Sequence, residues 1–191
     1  MGSCIDYILL NLTFVISCIP IITIGASCVA LYRCVRNHMD EKKSTPSYFF
    51  RVFAENFKKV TPVWIVALLF LAAAVTDVLY MRNVNVAGGS VISGVLLIVS
   101  VMIIGVLSYL FPLIAQNDLP VKQLLVISFF TSIQKIYITI PLIVMNLFPI
   151  IFPVLMPDAF AYLLTIWIGF LFSLICYGDA LIIRRIFGDG D

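Results

Sequence analysis

Charge and histidine are what this chain has least of. Only 12% of its 191 residues are Asp, Glu, Lys or Arg, and His38 is the one histidine. Soluble domains carry about 25% charged residues, so a molecule wetted on all sides is excluded. The net charge of +2 supplies no basic field of the kind that holds nucleic acid, and no nucleic-acid partner is expected.

The familiar catalytic patterns are missing as well. There is no Gly-rich phosphate loop ending in lysine, no H-E-x-x-H and no G-x-S-x-G elbow. His38 falls in a hydrophilic connection, away from any base or nucleophile constellation, so no enzyme, no cofactor and no catalytic or metal-binding residue is expected. Cys4, Cys18, Cys28, Cys34 and Cys176 are odd in number, lack C-x-x-C spacing and mostly occupy apolar segments. They read as small buried hydrophobes. The first ten residues hold no lysine or arginine, which argues against a cleaved signal peptide.

What the chain has is apolar sequence: 62% of its residues are hydrophobic and the mean hydropathy is +1.12. That composition predicts an all-α, polytopic membrane bundle with the lipid bilayer as its surroundings. Five segments, about 5–24, 62–81, 91–115, 136–156 and 159–181, reach the roughly 20 apolar residues a spanning helix needs. Eleven of the twelve basic residues fall in the first and third connections and the tail, and Arg82 alone on the other side. The positive-inside bias then predicts five spans in one membrane domain, N-terminus outside and C-terminus in the cytoplasm.

Between the first two spans, "STPSYFFRVFAENFKKV" has Pro46 behind a Thr45 cap and predicts an amphipathic cytoplasmic helix over about 46–60. Phe49, Phe50, Phe53, Phe57 and Val60 share one arc, with Arg51, Glu55, Lys58 and Lys59 opposite. Such a face either lies among lipid headgroups or packs on the cytoplasmic ends of the spans.

Polar residues inside apolar spans are the functional candidates. Asp77 sits one to two turns from Arg82, and Asp179 near Arg184 and Arg185, so both read first as interfacial ion pairs or hydrated carboxylates. Asn11 and Asn146 are the deepest amides and read first as hydrogen bonds between helices. Pro141, Pro149, Pro153 and Pro157 are expected to bend or end the fourth span, with Pro157-Asp158 making a tight outer turn. Thr165, Gly169, Ser173, Cys176 and Ala180 form a small-residue stripe for close packing, within one chain or in a homo-oligomer. In "SCIPIITIGASCVALYR", Pro20 and Gly25 predict a kink or break between residues 19 and 26, with Thr23 or Ser27 serving the freed backbone groups.

The stretch N-x(8)-P-I-x-T-I-G from Asn11 to Gly25, the following "ALY", the piece "ENFKK" and the later "LFPLIAQNDLPVKQ" together resemble the YesL family of bacterial membrane proteins of unknown function. Where many members have Phe-Asp or Phe-Asn after the third span, this chain has Gln116, Asn117 and Asp118. The resemblance implies a multi-pass protein of the bacterial plasma membrane, often encoded beside carbohydrate uptake systems. The expected role is a non-enzymatic accessory, assembly or regulatory partner of carbohydrate ABC transporter subunits. A small oligomeric transporter or channel for a sugar or ion, using Asn11, Asn146 or Asp179, is the alternative.

Overall fold

The computed structural model describes residues 4–40, 42, 44–83, 89–117, 119–156 and 171–187, and every element in them is helical. The helices are α1 (Cys4–Ser17), α2 (Ile24–Met39), α3 (Pro46–Asn83), α4 (Gly89–Gln116), α5 (Val121–Gln134), α6 (Ile136–Leu155) and α7 (Phe172–Phe187). A single 3-10 turn, Ile21–Thr23, sits between α1 and α2.

Pro20 offers no N–H, so the first helix stops short of it. The Cys18 N–H closes the last turn onto the Phe14 carbonyl at 2.9 Å. The Ser17 carbonyl, left without its helical partner, accepts the Thr23 hydroxyl at 2.5 Å and the Ser27 hydroxyl at 3.2 Å. Beyond this turn the chain reverses. The ring of Tyr7 stands 5.0 Å from that of His38, so the start of α1 lies beside the end of α2 and the pair forms an antiparallel hairpin.

This corrects the expectation of one span over 5–24. At 14 residues α1 is about 21 Å long, short of the roughly 30 Å hydrocarbon core, and the residues after it fold back instead of extending it. His38 is likewise not in a hydrophilic connection: it is buried at the end of α2.

A second correction concerns 46–60 and 62–81, which form one unbroken helix, α3, of 38 residues with Pro62 inside it. The proline withholds a donor only from the carbonyl of Lys58, an exposed residue where water or headgroups can replace it. Thr45 caps the start, its Oγ1 accepting the Tyr48 N–H at 3.4 Å. Phe49, Val52, Asn56 and Val60 are buried, while Arg51, Glu55, Lys58 and Lys59 are exposed. The predicted apolar arc is therefore displaced, because Phe50 faces outward.

Gly25 brings α2 against α3. A Cβ there would meet the Trp64 Cβ at 2.9 Å and a Val60 methyl at 3.2 Å. Its use is close approach within a regular helix, not the unusual torsion expected of a hinge. The Trp64 indole then donates its N–H to the Ile21 carbonyl at 2.8 Å, tying the hairpin turn to α3.

Helix α6 passes through Pro141, Pro149 and Pro153, each of which withholds one donor, and ends at Leu155. A sharp bend precedes it, where α5 and α6 meet at 108° around Lys135. There the Thr139 hydroxyl donates toward the carbonyls of Ser132 at 2.9 Å and Lys135 at 3.1 Å. Pro157 and Asp158 lie outside the described residues.

The core gathers where α1, α2, the first half of α3 and the end of α4 meet, around Leu10, Leu31, Val35, Phe49 and Leu110. Further along α3 and α4 the apolar side chains point outward, Val66, Leu69, Val75, Val95 and Ile98 among them. Among the described residues two helices are long and apolar enough to cross a membrane, α3 and α4, or three if bent α5 and α6 count as one. This is a membrane protein in which all described secondary structure is helical.

Candidate functional site

Three helices converge on one buried carboxylate. Asp179, on α7, is fully buried, and its Oδ2 accepts the Tyr32 hydroxyl from α2 in a very short hydrogen bond. The same oxygen accepts the Asn146 amide from α6 at 2.9 Å. Oδ1 is buried with no hydrogen-bond partner. Each helix supplies its residue for a local reason: Asn146 also donates to the Leu142 carbonyl one turn back at 2.9 Å, which fixes its rotamer. Tyr32 is buried, and a buried tyrosine hydroxyl needs a partner.

Asp179 is thus buried and bonded to Tyr32 and Asn146, and no arginine of its own helix is paired with it among the described residues. Arg184 reaches Asp40 at the end of α2 instead, at 3.8 Å between half-exposed side chains, a contact that adds little to stability. The carboxylate faces two neutral donors, Tyr32 and Asn146, away from the surface. Such an arrangement can hold a proton, or offer its free oxygen to one donor of a small ligand.

Beside the cluster is a cavity of about 260 Å³, walled by Phe14, Tyr32, Trp64, Leu107, Asn146 and Cys176 among others. Tyr32, Asn146 and Ser108 are its principal polar groups, and the rest of the wall is apolar. Cys18, Cys28, Cys34 and Cys176 are free thiols, and among the described residues no His, Cys, Asp or Glu grouping is suited to a metal ion.

The other candidates scatter. Asn11 lies a helix away from the carboxylate and accepts the backbone N–H of Ser173 at 3.0 Å and its hydroxyl at 3.3 Å. Asn11 thereby ties α1 to the described part of α7. Asp77 accepts the Ser93 hydroxyl at 2.7 Å, linking α3 to α4. Pro20, Thr23, Gly25 and Ser27 build the hairpin turn. Ser173, Cys176 and Ala180 are buried along one stripe of α7, so these small residues pack within the chain. Thr165 and Gly169 lie outside the described residues, as does the side chain of Arg82.

Sequence reasoning missed Tyr32 and Trp64 as partners of these groups. The available signal was amphipathic: each is an aromatic with one polar atom in an apolar run, and burial obliges that atom to bond.

A family model described as "Protein of unknown function, DUF624" matches residues 7–78. Over that stretch the chain is similar to the family. The matched part holds the α1–α2 hairpin, Tyr32 and most of α3, and leaves out Asn146 and Asp179. No curated protein and no solved structure matches.

Proposed function

We propose that the chain is a non-enzymatic, multi-pass protein of a bacterial plasma membrane, acting as an accessory, assembly or regulatory partner of a carbohydrate uptake system. One observation carries the reading: the deep polar groups are used to join helices. Asn11 bonds α7, Asp77 bonds α4, and Asp179 gathers α2 and α6. The result is a braced scaffold. Exposed charge is left accessible to a partner at Lys58 and Lys59 along one side of α3 and at Arg185 at the end of α7.

The carbohydrate side rests on the resemblance to the YesL family, and the match over residues 7–78 is compatible with it. Affinity purification of the tagged chain in mild detergent is expected to recover permease or ATPase subunits of a carbohydrate ABC importer. Repeated recovery of the chain alone would reject the proposal.

The proposed topology departs from five spans with the N-terminus outside. The contact between Tyr7 and His38 supports an α1–α2 hairpin that enters and leaves on one side, its tip carrying the exposed apolar residues Ile19, Ile21 and Ile22. The positive-inside bias puts Arg33, Arg36 and the N-terminus on the cytoplasmic side with the C-terminus. Crossings are then made by α3 and α4, with bent α5 and α6 together as a third among the described residues.

A second reading, a small oligomeric transporter or channel for a sugar or ion, draws on the Asp179 carboxylate, whose partners Tyr32 and Asn146 line the cavity. Purified protein in liposomes would then move a sugar or ion, and Asp179→Asn would abolish the flux.

A further inference from the structure

A second concavity lies on the outside of the molecule, away from the Asp179 cluster. Its volume is about 610 Å³, and α3, α4 and α5 wall it with Pro62, Val66, Phe70, Met102, Val106 and Phe129 among others, all apolar. Val66, Met102 and Phe129 are exposed, so nothing within the described chain covers the groove.

Helical periodicity places charge on the helix stripes that line it. Pro62, Val66 and Phe70 form a stripe of α3 at i, i+4, i+8, and one turn before Pro62 on that stripe come Lys58 and Lys59. On α5, Leu125 and Phe129 line the groove, and Lys122 stands one turn before Leu125. All three lysines are exposed or half-exposed. The apolar stripes that wall the trough on two different helices are thus each preceded by exposed lysine.

We propose that this groove binds one anionic phospholipid, with an acyl chain along α3 and α4 and the phosphate among Lys58, Lys59 and Lys122. Basic clusters beside membrane helices recognise acidic headgroups in this way. A second copy of the chain is the poorer occupant, because a two-fold contact on this face would set three lysines against the same three lysines. The inference needs the chain to lie in a bilayer. It does not need a ligand at Asp179 or a transport partner.

The test is native mass spectrometry of the detergent-purified full chain, titrated with phosphatidylglycerol or, separately, phosphatidylcholine. One retained phosphatidylglycerol per chain is expected, preferred over phosphatidylcholine. Each of Lys58→Gln, Lys59→Gln and Lys122→Gln is expected to cut that preference by about fivefold, the equivalent of roughly 1 kcal/mol per basic residue at an anionic surface. Equal retention of the two lipids, or a triple variant that keeps the preference, overturns the proposal.

Because a variant can lose its fold, the native chain carries the second arm. A phosphatidylglycerol with a photoreactive acyl chain is expected to label residues 62–70 and 99–107, and labelling confined to other helices overturns the proposal. Loss of a dimer on Ala67→Trp, with no change in lipid retention, would assign the groove to self-association and overturn it as well.

Discussion

The edge of the Tyr7 ring meets the His38 ring at 5.0 Å and 75°, which fixes the beginning of α1 beside the end of α2. The expected consequence is that reporters fused at the N-terminus, at residue 42 and at the C-terminus read out on one side of the membrane, and a reporter at residue 86 on the other. An N-terminal reporter on the side of residue 86 would restore a first span that crosses, and the hairpin would have to be abandoned.

The turn of that hairpin hangs on one carbonyl. Ser17 O accepts both Thr23 and Ser27, so either hydroxyl can serve it when the other is removed. Thr23→Val and Ser27→Ala are each expected to cost at most about 1 kcal/mol in thermal or denaturant unfolding, within the usual net contribution of a hydrogen bond. The double variant is expected to cost more than the sum, because only then is the carbonyl left unpaired at the chain reversal. Strict additivity would mean that the two hydroxyls do not share this task.

Much of this turn was legible beforehand. Pro20 had to end a helix, and a nearby hydroxyl had to serve the freed carbonyl; both follow from the backbone chemistry of residues close in sequence. The reversal after it was not legible, because it depends on Gly25 admitting Trp64, a residue from another helix that no local pattern connects to it. The same limit hid the partners of Asp179. Its neighbours in sequence are arginines, whereas its partners in space, Tyr32 and Asn146, come from distant helices. Pro141 did not end its helix, since a proline's local effect is real but α6 continues beyond it to Leu155.

Gly25 and Gly94 make a controlled pair. Both lie in helices, but a Cβ at Gly25 meets Trp64 at 2.9 Å, whereas at Gly94 nothing stands within 4 Å. Gly25→Ala is expected to lower stability by about 1–3 kcal/mol through overpacking. Gly94→Ala is expected to be neutral, or to stabilise by up to about 1 kcal/mol through helix propensity. Unfolding midpoints in the same detergent compare them directly, and a harmless Gly25→Ala would remove close approach as the reason for that glycine.

The strongest test of the site asks whether Tyr32, Asn146 and Asp179 act as one unit. Tyr32→Phe and Asn146→Leu each take one donor from Oδ2, leaving a buried carboxylate less well served, and each is expected to cost about 1–2 kcal/mol. In an Asp179→Leu background the expected sign reverses. With no acceptor to satisfy, the tyrosine hydroxyl and the asparagine amide are themselves the unpaired groups, and replacing them by apolar side chains is expected to cost nothing or to stabilise. A double-mutant cycle on unfolding midpoints reads this coupling. If Tyr32→Phe is as costly in the Asp179→Leu background as in the native chain, the hydroxyl contributes through packing alone, and the carboxylate loses its claim to be the centre that draws α2, α6 and α7 together.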